Sequence, residues 1–299
     1  MARARAWILN FDAEDELGLD RGRGHTSSRA VLARFAALAT RVGPLLGPGD
    51  VVVDPIGLAA LLPAAFVGRA WCPTPGARSL LARVGAALPD APELPVLRRV
   101  NHRRFCAELG QTLPGARYAD TLDDVVAIVN APSQRGAWLL KRPFGFAGRG
   151  RRRVRGGDLE PADRAWIEAS LAARDGLQIE PFVDLELDVG LHGFLAASGA
   201  LTLGAPTVQR TDATGAWLAS ALAAPGDHAA SEERALFEAA EATAEALRAA
   251  GYFGPFGVDA FRWRDADGAS RWNPRGEINA RYSMGWAVGM GEKRPDLEG

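Results

Sequence analysis

Asp259, Glu277 and Asn279 are the residues whose types and spacing most directly suggest chemistry in this chain. Asp259 lies in the alternating run Phe256-Gly257-Val258-Asp259-Ala260-Phe261, which reads as a buried strand. A turn-rich interval, Asp265 to Ser270, carries the chain back into a second strand bearing Glu277-Ile278-Asn279. Residues two apart on a strand share a face, so Glu277 and Asn279 project together and Asp259 can face them from the neighbouring strand. Two carboxylates and an amide oxygen on one face suit a hard cation that keeps open positions for phosphate, namely Mg²⁺.

Lys141 is the second such residue. Of 35 Lys and Arg residues only Lys141 and Lys293 are Lys, against 33 Arg, so a Lys at a strand end stands out. The two side chains are not interchangeable. Lys141 closes the run Trp138-Leu139-Leu140 and precedes Phe144-Gly145-Phe146-Ala147-Gly148-Arg149-Gly150. Such a loop lets backbone N–H groups approach a phosphate that the Lys also reaches. It is neither a Walker A motif nor a dinucleotide fingerprint, because the glycines join two strands and the Lys comes before them. A flexible hairpin with a solvated Lys is the plainer alternative.

Downstream, Gln178 to Glu186 reads as a strand leaving into a short linker. Glu180 could accept from an adenine amine, and Asp184 or Glu186 from ribose hydroxyls; an edge strand with acids in water is the alternative. Arg149, Arg151, Arg152, Arg153 and Arg155 read as a solvated face, with Arg149 inside the loop able to touch substrate or phosphate. His25, His102, His192 and His228 show no metal spacing, and Ser283 lacks a nucleophile-elbow context.

These residues need elements to hold them. Residues 1 to about 95 alternate strands (Ala6–Asn10, Val51–Asp54, Arg69–Cys72) with helices (Ser28–Arg41, Ile56–Ala65, Ala77–Leu88), as in a small parallel α/β layer. Pro89 to Pro95 reads as a connection, and Asn101 as the cap of a helix from His102 to Gly110. A helix from Leu122 to Asn130, the two strands around the glycine loop, a helix from Pro161 and a strand from Leu177 to Val183 follow. A larger sheet is expected from Glu186–Leu195, Leu201–Gln209 and Ala216–Ser220, then a helix from Ser231 to Ala250 and the strands Phe256–Trp263 and Ser270–Asn279.

The bulk numbers narrow the classes. A net charge of -1 gives no global basic field for nucleic acid or an anionic membrane. Apolar content of 47% is ordinary for a globular protein. Cys72 and Cys106 alone exclude a disulfide framework and a Cys-based zinc site, and make a reducing cytoplasm the simplest home. The N-terminal strand is too brief and too charged for a signal peptide, and no segment offers a clean membrane span.

The order of signals, from strand-end Lys through glycine hairpin and Glu-bearing strand with linker to Asp strand and Glu277-Ile278-Asn279-Ala280-Arg281, resembles the ATP-grasp superfamily. The resemblance covers residues 98 to 290. It implies an α/β fold, α+β in its C-terminal part, with a pre-ATP-grasp-like domain (1–97), a central subdomain with the glycine loop (98–184) and a C-terminal subdomain with the metal site (185–299). By the same resemblance Lys141 and the loop glycines Gly145, Gly148 and Gly150 hold ATP phosphates. Glu180, Phe182 and Val183 hold adenine, and Glu186 the ribose. Arg103 or Arg104 serves as a further phosphate ligand. Asp259, Glu277 and Asn279 bind Mg²⁺ or Mn²⁺, and Arg281 neutralises phosphoryl charge. Gly257 stands where D-alanine ligases carry an Arg, for which Arg210 is the candidate replacement. The implied activity is an ADP-forming carboxylate–amine ligase for a small molecule, amino acid or peptide. A small-molecule kinase and a non-catalytic nucleotide or nucleic-acid binder are the alternatives. Homodimers are common in such enzymes, and neither a membrane nor a nucleic-acid partner is expected.

Overall fold

The computed structural model describes residues 4–19, 38–54, 62, 66–110, 113–145, 149–173, 175–211 and 217–298. Three sheets carry the architecture. In the first, β1 (Arg5–Ile8) lies between β2 (Val51–Val52) and β3 (Val67–Ala70), all parallel. Every residue of β1 is buried, as a parallel strand covered on both faces must be. Arg5 is tolerated there because it reaches Asp50 and donates to the Leu297 carbonyl at 2.8 Å. A short helix, α1 (Ala13–Leu17), follows β1.

α2 (Pro75–Arg83) starts two residues earlier than expected, with Pro75 in its first turn and Thr74 as N-cap. The interval from Pro89 to Pro95 is a connection only as far as Glu93. There α3 (Leu94–Asn101) begins, with Pro95 in the first turn, where a missing N–H costs nothing. Asn101 therefore ends a helix and caps none. His102 caps the next one, α4 (Arg103–Glu108), its Nδ1 accepting from the Arg104 N–H at 3.1 Å. The boundary drawn at residue 97 falls inside α3, whose Leu97 and Val100 share a core with α1 and the C-terminal sheet.

The central sheet is antiparallel, in the order β4 (Arg117–Ala119), β7 (Leu177–Pro181), β5 (Ala137–Lys141), β6 (Arg151–Arg155). α5 (Leu122–Val129) and α6 (Pro161–Leu171) cover one face, with Val125, Ile167, Leu140 and Ile179 fully buried between the layers.

The C-terminal sheet is built on β8 (Asp184–Leu195) and β12 (Gly254–Arg264), followed by β13 (Ser270–Asn279). Leu201–Gln209 is two strands, β9 (Leu201–Leu203) and β10 (Thr207–Thr211). The chain leaves the sheet between them because Gly204 packs against the Gly289 backbone, where a Cβ would sit 2.4 Å from the carbonyl oxygen. β11 (Trp217–Leu222) is the far edge. α7 (Ala230–Ala249) covers one face through Leu236, Ala240, Ala244 and Leu247, the spacing of a single helical stripe. α8 (Trp286–Met290) packs Trp286 and Met290 against Trp7 and Leu9, joining the two ends of the chain. Among the described residues no helix is long and apolar enough to cross a membrane. The expected helix Ile56–Ala65, most of Ser28–Arg41, and Gly148 lie outside the described residues.

Candidate nucleotide and metal site

A cleft of about 1430 Å³ opens between the central and C-terminal sheets, and Lys141, Gly145 and Glu180 line it from one side, Asp259, Glu277 and Asn279 from the other. The register explains the second group. Asp259 lies directly opposite Glu277, and Gly257 opposite Asn279, so the three side chains share one face. Asn279 and Gln209 both donate to the Asp259 carboxylate, at 2.9 and 3.0 Å. Glu277 pairs with the Arg103 guanidinium at 2.6 Å.

The two facing acids are held in opposite electrostatic states. Burial pushes Asp259 up to about 6, and the charge of Glu277 adds to it. Burial works against Glu277 as well, but Arg103 and Lys141 outweigh it and bring it down to about 2. A third acid joins them: Asp188, opposite Phe261 in the sheet, is raised to about 7 by burial and by Asp259. Among the described residues no three His, Cys, Asp or Glu side chains converge closely enough to form a metal cage. Asp259 and Glu277 with the Asn279 oxygen form a set of two carboxylates and an amide. Its donors are the hard oxygens that Mg²⁺ prefers, and a dication would balance two facing, half-buried carboxylates.

On the other wall Lys141 pairs with Glu180 at 2.5 Å, and Gln178 donates to the second Glu180 oxygen at 2.8 Å. The glycine hairpin is tight. A Cβ on Gly145 would lie 2.7 Å from the Arg149 carbonyl, and Gly150 has φ +71, so neither position takes a side chain without strain. Phe182 lies under the Arg153 guanidinium, 3.8 Å from its ring centre, and Val183 also lines the cleft. The arginine run is not one solvated face: Arg151 and Arg153 turn into the cleft, while Arg152 pairs with Asp163 at 2.6 Å.

The structure places five further sequence candidates. Arg103 is buried in the cleft wall. Arg104 turns away to Asp120 at 2.5 Å and lies over the Tyr118 ring. Glu186 is taken by Arg264 and accepts from the Ser270 hydroxyl at 2.6 Å. Arg210 is exposed and does not line the cleft; its neighbour Gln209 does. A side chain at position 257 would be crowded, because a Cβ there would already be 3.0 Å from His192 Nδ1. Arg281 lines the cleft, but its guanidinium is bound by buried Glu14 from α1 and by the Tyr282 carbonyl.

Gln209, Asp188 and Glu14 were not candidates from sequence. Asp188 had a signal, as the third acid of the alternating run Asp184-Leu185-Glu186-Leu187-Asp188, whose acids share one strand face. Glu14 had none, since its partner lies 267 residues away.

No family model matches the chain, and no curated protein matches it in sequence. Solved structures do match. An ADP complex of N5-carboxyaminoimidazole ribonucleotide synthetase superimposes with TM-score 0.52 at 16% identity, covering 94% of this chain and 71% of that one. D-alanyl-alanine synthetase A from Vibrio cholerae gives 0.53 at 13% identity over 100% and 94% of the two chains. A β-γ-ATP complex of biotin carboxylase from Campylobacter jejuni gives 0.52 at 15%, covering 72% of this chain and 47% of that one. With the sheets, the cleft and these neighbours in view, the fold of this chain is that of the ATP-grasp superfamily.

Proposed function

We propose that the chain is an ATP- and Mg²⁺-dependent carboxylate–amine ligase that forms ADP. One observation carries the reading: Lys141 beside a glycine hairpin and the Asp259–Glu277–Asn279 set face each other across one cleft. ATP in that cleft would have its phosphates between a cation on one wall and a metal set on the other. The neighbours solved with ADP and as a β-γ-ATP complex support a nucleotide there. Of the two arginines considered, Arg103 is the phosphate-side candidate, and Phe182 and Val183 are the adenine-side ones. The three sheets then act as the N-terminal unit and the two lobes that clasp the nucleotide.

Asp259, Glu277 and Asn279 would hold Mg²⁺, which when bound neutralises charge on the phosphates. The remaining chemistry is positioning and charge stabilisation. A substrate carboxylate oxygen attacks the γ-phosphorus and ADP leaves, giving an acyl phosphate. The amine then attacks the acyl carbon and inorganic phosphate leaves. No step needs a protein nucleophile, and Cys72 and Cys106 are both buried. Lys141 and Arg103 would stabilise charge on the moving phosphoryl group. Arg281 would do so only once released from Glu14.

The test is an ADP-release screen of the full chain across pairs of amino acids, peptides and small carboxylates, with mass spectrometry of the products. A dehydrated conjugate with stoichiometric phosphate is expected. A stable phosphorylated product instead would identify a kinase, and ATP binding without turnover of any pair would favour the non-catalytic reading.

A further inference from the structure

A second space of about 280 Å³ lies beside the nucleotide cleft and is continuous with it: Arg41, Trp71, Trp217, Ser283 and Met284 line both. Its other walls are mostly apolar, including Leu45 from the N-terminal unit and Leu218 from β11. Leu218 is 49% exposed, an apolar side chain left without cover at the rim of the space. The volume is at the small end for ligand pockets, that of a compact molecule.

Ser283 lines both spaces, and the hydrogen bonds behind it commit its hydrogen. Thr207 Oγ1 donates to the Gly190 carbonyl at 3.1 Å, which uses its only hydrogen. Toward His192 Nε2, 3.2 Å away, Thr207 can therefore only accept, so Nε2 carries the ring proton. Nδ1 is then bare, and Ser283 Oγ, 3.2 Å away, must donate to it. The ring cannot turn to change this. A Cβ on Gly285 or Gly289 would come within 2.7 Å of it, so glycine backbone encloses His192 closely. Burial lowers His192 to about 4, which keeps it neutral at ordinary pH. Ser283 consequently faces the cavity with lone pairs only.

Such an oxygen suits an amine poised for attack: it accepts an N–H and has no hydrogen with which to cap the nitrogen lone pair. Arg41 lines the same space and can meet a carboxylate. We propose that this chamber binds the nucleophile substrate, an α-amino acid with an apolar side chain. Its amine would lie on Ser283, its side chain among Trp71, Trp217, Leu45 and Leu218, and its carboxylate toward Arg41. The assignment rests on the ligase reading and adds the class of amine. His192 and Thr207 act as positioning residues for the Ser283 hydroxyl.

The test uses the full chain with saturating ADP and Mg²⁺, titrated with L-leucine, L-phenylalanine, glycine and L-glutamate by calorimetry. ADP affinity is measured separately. Leucine or phenylalanine is expected to bind at least about tenfold tighter than glycine, the worth of burying one such side chain. Ser283→Ala is expected to weaken that binding about fivefold, the worth of one hydrogen bond, with recovery in Ser283→Thr. Ala219→Trp, on β11 at the chamber wall and away from the nucleotide lining, is expected to abolish amino-acid binding while ADP affinity stays unchanged. Absence of side-chain preference in a protein that binds ADP normally would overturn the chamber assignment. Failure to bind ADP at all would instead strike the nucleotide reading.

Discussion

The two ends of the cleft are built on opposite physical rules. At the charged end Lys141 pairs with Glu180, Arg103 pairs with Glu277, and Asp259 accepts from two amides. At the chamber end the walls are mostly apolar, and Ser283 is oriented by uncharged hydrogen bonds. Charge in a low-dielectric cleft acts at a distance and tolerates some misplacement, whereas an apolar wall selects only by contact. The phosphate end therefore suits a common cosubstrate, and the chamber suits discrimination among amines.

If the division is correct, substitutions at the charged end change nucleotide chemistry and leave amino-acid binding alone. The largest effect is expected for Asp259→Asn. ADP release should fall at least about 100-fold, since removing several kcal/mol of charge stabilisation has that cost. The fold should survive. Asp259 is ionised at neutral pH against burial, and Gln209 can turn its amide to accept from the new side chain. Its folded pKa is raised, so its ionisation destabilises the metal-free protein above about pH 6, and the variant should melt no lower than wild type at pH 7.5. Wild-type ADP release in this variant would break the metal assignment.

Glu277→Gln should lose ADP release to the same degree but with the opposite effect on stability. Glu277 has a lowered pKa, so its ionised form stabilises the fold above the unfolded value near 4.5. That contribution is lost as pH falls toward about 2. At pH 7 the variant should be about 3 kcal/mol less stable by denaturant unfolding, because Arg103 loses its counter-charge. The gap should close between about pH 4.5 and 2.

Lys141→Ala is expected to weaken ATP binding about 10- to 100-fold by calorimetry, with leucine binding in the chamber unchanged. Equal ATP affinity would remove Lys141 from the phosphate site. Smallest of all, Arg104→Ala should alter ATP affinity less than about twofold and cost under about 1 kcal/mol, since its exposed pair with Asp120 is weak. A larger loss of ATP affinity would show that the arginine exchanges its surface partner for phosphate.

The same contrast explains what could be read from sequence. Asp259, Glu277 and Asn279 were legible because two strands and one turn fix their meeting, and strand alternation is local. Lys141 was legible because it is rare in an arginine-rich chain. The choice between Arg103 and Arg104 was not, since it depends on which side of a six-residue helix meets β13. Arg210 does not line the cleft whereas Gln209 does, and on a strand one residue of register decides the face. The His192–Ser283 contact spans 91 residues and depends on glycines that look like ordinary turn residues in sequence. The chamber is made of common hydrophobes from separate segments, so no local spacing marks it. Gly204 broke an expected strand for the same reason: its constraint is a backbone that arrives from residue 289.

The Glu14–Arg281 pair would also couple the site to protons. Burial holds the Glu14 carboxyl above its ordinary range, with Arg281 the main force opposing that shift. An anion that took the guanidinium would displace Glu14 and remove that opposition, so the freed carboxyl would hold a proton more readily. Binding at Arg281 would then exchange one anion for another plus a proton, and would strengthen as pH falls. The first helix of the chain would in this way be the built-in competitor for the last cation of the site.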